Sequence, residues 1–205
     1  MVYEQDLRER LAKIGKILHN EGLAVGTTGN VSVRLPDEDL CIIKPSGFRL
    51  SEIKPADFIV VNIKTRKVID GNRKPSIETP FHTTLYEIRK DVGSVVHVHA
   101  HYATVLTLLD ISVKSYTTDI CEAPDLACGI GIAEFAPPGT EKLAANLGEA
   151  LRECYATVMP HHGITTIGNT PERAMKNAIV LERMARIQYH ALLLGQPKQI
   201  SDKLV

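Results

Sequence analysis

The stretch Ser94-Val95-Val96-His97-Val98-His99, residues 94–99, decides how this chain is read. Its β-branched valines favour an extended strand. On a strand, alternate side chains point to the same face, so His97 and His99 share one side. Both imidazoles can then reach a single ion at the roughly 2 Å that a Zn–N bond requires. A third histidine and a carboxylate would complete such a site and still leave room for substrate. A divalent ion with an open position is a catalyst rather than a structural staple.

Outward from this strand the pattern changes at Ala100. Residues 101–110 read as a helix, so the alternation breaks and His101 falls outside the ligand set. Upstream, Pro75 and Pro80 bracket Ser76-Ile77-Glu78, and a helix is expected over about 80–90. His82, four residues after Glu78, reads as an ordinary helix residue able to share its face. Further upstream lies an amphipathic helix over 3–21, stopped at Gly22, with Leu7, Leu11, Ile14, Ile17 and Leu18 at three- and four-residue steps. The glycine-rich turn Gly26-Thr27-Thr28-Gly29-Asn30 leads into the strand Val31-Ser32-Val33. A strand over 41–43 ends at Lys44-Pro45-Ser46-Gly47, and 57–63 with 67–69 form a hairpin.

Downstream, residues 111–131 carry Tyr116, Asp119, Glu122 and Asp125 without a clear element. A strand is expected near 132–136, then a helix capped by Thr140, strands over 156–159 and 164–167, and a long helix from Thr170 and Pro171 to Leu194. The front hairpins argue against a purely parallel doubly wound sheet. The expected fold is α/β: a single-domain sandwich over 1–205, with a central mixed, mainly antiparallel sheet flanked by helices.

The 205 residues are 44% hydrophobic, enough to bury a core without disulfides. Lys+Arg and Asp+Glu are both 24, so bulk charge gives nucleic-acid binding no support. No apolar run approaches the roughly 20 residues that cross a membrane, and the charged N-terminal helix does not read as a secretory signal. Cys41, Cys121, Cys128 and Cys154 form no CxxC pair and suit a reducing compartment. A cytoplasmic enzyme is therefore expected.

His161 and His162 are adjacent, so only one should face the metal, and Gly163 permits close backbone approach beside His162. With this pair, five motifs are in view: GTTGNVSVR at 26–34, KPSG at 44–47, PSIE at 75–78, HVH at 97–99 and HHG at 161–163. In this order and with comparable gaps they resemble the class II sugar-phosphate aldolases related to L-fuculose-1-phosphate aldolase, with L-ribulose-5-phosphate 4-epimerase as a close relative. The resemblance spans nearly the whole chain. It implies zinc, or another divalent cation such as Mn2+ or Co2+, held by His97, His99 and His162. It implies that Glu78 joins the resting coordination and acts as acid/base. The activity implied is reversible cleavage of a ketose 1-phosphate to dihydroxyacetone phosphate and a small aldehyde, the cation acting as Lewis acid toward the enediolate.

Phosphate fits a tight turn that offers backbone N–H groups and hydroxyls. Gly26–Asn30, Ser46-Gly47 and Ser76 supply these, and the resemblance assigns phosphate contacts to Thr27, Asn30, Gly47 and Ser76. The chain departs from the family at Ile77, where the aldolases carry a second serine. One hydrogen bond to a charged group is worth about 1.5–3 kcal/mol, so a weaker phosphate site, backbone compensation or a different anionic group all follow as readings. Tyr116 stands at the spacing of the tyrosine that protonates the departing aldehyde oxygen in the aldolases; Asp119, Glu122 and Asp125 are alternatives. The same scaffold serves an epimerase, a dehydratase or a decarboxylase, and a non-catalytic adducin-like module. Glu78 favours the aldolase among them. The resemblance further implies a homotetramer with sites at subunit interfaces, over which the tail 195–205 would close.

Overall fold

Val96 and Val98 pack on one side of the central strand, while Val95 packs on the other, the side His97 shares. Helices cover both sides, so the histidine is held beneath a helix rather than in solvent. The computed structural model describes residues 2–36 and 38–200, with side chains from residue 4 onward. In chain order the elements are α1 (Val2–Asn20), β1 (Asn30–Arg34), β2 (Leu40–Ile43), β3 (Ile59–Asn62), β4 (Val68–Asp70), α2 (Thr79–Ile88), β5 (Ser94–Val98), α3 (His101–Thr107), β6 (Gly131–Ile132), α4 (Glu141–Ala150), β7 (Ala156–Met159), β8 (Gly163–Gly168) and α5 (Pro171–Leu194). The strands form one sheet in the order β4-β3-β2-β1-β5-β8-β7-β6. Every pairing is antiparallel except β6 with β7. This is the mixed, mainly antiparallel sheet that the front hairpins predict.

Period-two patterning divides the core. Val31, Val33, Ile42, Val60, Val96, Val98 and Ile164 meet α1, α3 and α5 on one face. Cys41, Ile43, Ile59, Val61, Val95 and Ile167 meet α2 and α4 on the other. Helix α5 starts where Thr170 Oγ1 accepts from the Arg173 N–H, with Pro171 at its first position. Helix α4 starts in the same way, Thr140 Oγ1 accepting from Leu143. Each cap satisfies an amide that would otherwise lack an acceptor. Among the described residues no helix is long and apolar enough to cross a membrane.

Several boundaries differ from expectation. The strand expected over 132–136 shrinks to Gly131–Ile132. The Ala133 amide still reaches Val158 O, but the Glu134 carbonyl is then taken by Asn146 of α4, and Pro137 and Pro138 have no N–H to continue a ladder. Helix α3 ends at Thr107 rather than 110, because Asp110 turns into the left-handed region at φ 56°. Helix α2 ends at Ile88, and β5 ends at Val98, so His99 projects past the sheet edge. Residues 118–122 and 124–128, unassigned from sequence, form two short 3-10 turns. Of the tail 195–205, residues 201–205 lie outside the described residues.

Candidate active site

Three strands and one helix end deliver the polar cluster. Asn30 of β1 pairs with His97 of β5, and His97 pairs with Thr165 of β8. Between β7 and β8, His161 adopts a left-handed backbone at φ 65°, which turns the two neighbouring imidazoles apart. His161 is exposed, its ring edge-on to Phe135 at 5.8 Å, whereas His162 turns inward. Gly163 makes this turn possible: a Cβ there would lie 2.4 Å from Val98 O. The rings of His97, His99 and His162 form a triangle with centroid separations of 5.3, 4.8 and 5.2 Å. One ligand atom from each lies within 4.8 Å of the others, a group that could hold a metal ion. His101 opens α3, exposed and packed against Tyr102, outside this group.

Glu78 occupies the N-cap position of α2 and is buried. Its Oε1 lies 3.3 Å from His162 Nε2, and its Oε2 lies 3.4 Å from His97 Nε2. Asn30 Nδ2 donates to Oε2 at 2.6 Å. His97 Nδ1 lies 2.9 Å from Ile164 O. A carbonyl only accepts, so Nδ1 carries the proton and the Nε2 lone pair is left facing the carboxylate. His97 Nε2, His162 Nδ1 and Glu78 Oε1 are buried without a hydrogen-bond partner. Such orphaned groups are costly unless something binds them. A lone pair and a carboxylate oxygen aimed at each other, with no proton between, suit a cation. The carbonyl that orients His97 from behind is the usual outer support of a metal-binding histidine. The donor set therefore fits a divalent ion of the imidazole- and carboxylate-binding kind.

The protonation states agree. Burial, only partly offset by Glu78, pushes His97 down to about 4. Burial also lowers His99, with His162 adding to the effect. Neutral imidazoles are the form a metal binds. Burial alone would raise the Glu78 carboxyl, but His97, the close approach of His162 and the Asn30 amide outweigh it and hold Glu78 below the usual carboxylate range.

Beside this cluster three loops are tied together. Lys44 Nζ donates to Thr27 O at 3.0 Å, the Ser46 amide donates to Lys74 O at 2.9 Å, and Pro45 bridges Pro75. Thr27, Ser46 and Gly47 are exposed on them, and Gly47 holds φ 79°. Ser76 is half-buried and its Oγ accepts from the Glu78 amide at 3.3 Å. Ile77, between Ser76 and Glu78, is 61% exposed. Lys44 is buried, and burial, opposed by Glu78, lowers it to about 8. In the sequence Lys44 is marked only as a lysine abutting the apolar strand 41–43.

The candidates in 111–131 separate. Asp125 binds Arg173 through both oxygens, Glu122 binds Lys176 and Arg183, and Asp119 pairs with Arg183. These acids clamp the loop onto α5. Tyr116 is half-buried and, among the described residues, makes no hydrogen bond to the histidine cluster. His82, expected to be an ordinary helix residue, is instead fully buried and bonded to Asn30 and Ser32.

The model of the Class II Aldolase and Adducin N-terminal domain matches residues 9–189. The chain belongs to this family. It is 32% identical over 199 residues to the 5-deoxy-D-ribulose 1-phosphate aldolase of Bacillus thuringiensis serovar kurstaki, covering 97% of this chain and 91% of the relative. It is 33% identical to the 5-methylthioribulose-1-phosphate/5-deoxyribulose-1-phosphate aldolase of Rhodospirillum rubrum, covering 94% of this chain and 84% of the relative. A solved L-fuculose 1-phosphate aldolase superposes with a TM-score of 0.87 at 33% identity, covering 97% of this chain and 92% of that one. The chain is thus a class II aldolase, a lyase.

Proposed function

We propose that this class II aldolase, one domain over its length, reversibly cleaves a deoxyketose 1-phosphate of the fuculose or 5-deoxyribulose type. The products are dihydroxyacetone phosphate and a small aldehyde. The observation that carries the reading is the buried Glu78 carboxylate set 3.3 and 3.4 Å from two imidazole nitrogens, two of these four atoms having no hydrogen-bond partner. His97, His99, His162 and Glu78 would hold a divalent cation, zinc by preference. When bound, that cation supplies Lewis acidity toward a substrate carbonyl and its neighbouring hydroxyl.

The chain's own groups do the rest. Glu78, ionised and held by Asn30, takes and returns the proton at the carbon next to the carbonyl. Thr27, Ser46, Gly47 and Ser76 offer hydroxyls and amides to the phosphate, with the Lys44 ammonium as counter-charge. Asn30 has a second amide hydrogen for the same purpose. Ile77 adds no hydroxyl there, so amides carry more of the load. Asp119, Glu122 and Asp125 are engaged by cations of α5, which favours Tyr116 as the second acid, presented to a neighbouring subunit's site in a cytoplasmic homotetramer.

The test is product analysis with purified, zinc-reconstituted protein and 5-deoxyribulose 1-phosphate or fuculose 1-phosphate. Dihydroxyacetone phosphate is expected from at least one, and a chelator should abolish its formation. Epimerised ketose without triose phosphate would replace the aldolase reading by an epimerase.

A further inference from the structure

Behind Glu78 runs a buried line of polar groups, and beyond Asn30 the reaction as proposed uses none of them. Asn30 Nδ2 donates to Glu78 Oε2 at 2.6 Å, and Asn30 Oδ1 meets His82 Nε2. His82 Nδ1 lies 2.7 Å from Ser32 Oγ, which lies 2.7 Å from the Tyr86 hydroxyl. Ser32, His82 and Tyr86 are each 0% exposed. Phe81 stacks on His82 at 4.6 Å and 21°, fixing the plane of the ring. Strand β1 and helix α2 contribute alternately: Asn30 and Ser32 from one, His82 and Tyr86 from the other.

Donor and acceptor counting gives this line a single direction. An ionised carboxylate only accepts, so the Asn30 NH2 must face Glu78 and its oxygen must face His82. His82 Nε2 therefore carries the ring proton, and Nδ1 accepts from the Ser32 hydroxyl. Ser32 has one proton, so its oxygen accepts from Tyr86. The opposite polarity would set the Asn30 oxygen against the Glu78 carboxylate. It would also leave the buried Tyr86 hydroxyl with no acceptor among the described residues. Burial opposes charge at either end of the middle: it lowers His82 to about 3 and raises Tyr86 well above its ordinary value.

We infer that His82 is a positioning residue, held as the Nε2–H tautomer by Ser32 and Tyr86 so that Asn30 points an amide hydrogen at Glu78. Four donors aligned head to tail polarise one another. They also stop the Asn30 amide from flipping, which would put oxygen against oxygen at the carboxylate. The inference rests on the role proposed for Glu78 only in its consequence for turnover; the tautomer itself is independent of that role.

The test starts from the metal-free wild-type protein, labelled with 15N. Long-range 1H–15N spectra of its imidazoles, assigned by the loss of signals in His82→Gln, report the His82 tautomer directly. A single Nε2–H form is expected. A single Nδ1–H form, or rapid averaging of the two, would overturn the inference without bearing on the aldolase reading. Ser32→Ala should release the ring into a tautomer mixture. Zinc affinity, measured by chelator competition, should fall about 10-fold or more in His82→Phe, as for other outer supports of metal sites. His82→Gln, which keeps a donor toward Asn30, should restore most of it. Equal affinity in all three proteins would reduce His82 to a packing residue. With ketose phosphate, His82→Phe should lower kcat by a larger factor than it raises KM. A wild type without turnover on any ketose phosphate, yet with the Nε2–H tautomer and the affinity pattern, would remove the proposed function and leave the positioning role standing.

Discussion

At the residue scale, Glu78 and His162 carry the sharpest expectations. Glu78→Gln keeps the shape and the three imidazoles but cannot take a proton. It should retain most metal and lose about 10²–10⁴-fold in kcat, the range for general acid–base groups, measured by triose-phosphate release. Turnover near wild type would take Glu78 out of the chemistry. His162→Ala should lose metal and activity together, by metal analysis and the same assay. His161→Ala removes an exposed ring that points away, so it should change stability by no more than about 0.5 kcal/mol and leave metal content intact. The choice between these two neighbours was open to sequence only as a rule that one must face inward. What separates them is the left-handed backbone of His161 at φ 65°. His82 reads from sequence as an ordinary helix residue because nothing in its neighbours within α2 marks it; its partners Asn30 and Ser32 are about fifty residues away.

At the element scale, the site depends on how closely β8 starts against β5. A methyl group on Gly163 would sit 2.4 Å from a main-chain oxygen, which cannot yield as a side-chain tip could. Gly163→Ala should therefore cost about 3 kcal/mol, the upper part of the overpacking range, read as a lower urea midpoint. Because His162 is its neighbour, zinc affinity should fall as well. Element identity was largely legible: the capping threonines before α4 and α5 and the alternating valines of β5 are local signals. Ends were less so. The strand near 132–136 fails because Glu134 is claimed by α4, and β5 stops at Val98, which places His99 beyond the ladder. The short turns over 118–128 are set by ion pairs to α5, partners a local pattern does not contain.

At the scale of the whole molecule, the sheet brings a buried carboxylate and several buried imidazoles together, and that leaves a pH signature. Folding lowers His97 from 6.5 to about 4 and His82 from 6.5 to about 3, mainly by burial. Between these values the unfolded chain binds more protons than the folded one, so stability rises with pH. Metal-free protein should be fully stable in this respect above pH 6.5. It should lose stability as pH falls through that value, until the folded state takes up the protons near 4 and 3. Urea midpoints of the metal-free protein from pH 7.5 to 4.5 check this; a flat profile would mean the rings are not buried neutral. By itself the sequence determined the mixed α/β class, the order of elements and the residue types from which a metal site could be assembled, because periodicity, caps and motif order are written in neighbouring residues. Only the tertiary structure decided that Glu78 sits between His97 and His162, that Lys44 ties two loops together and that Asn30, Ser32, His82 and Tyr86 line up behind the carboxylate. Those decisions depend on strand register and helix placement across the sheet, and register is settled by packing between segments far apart in the chain.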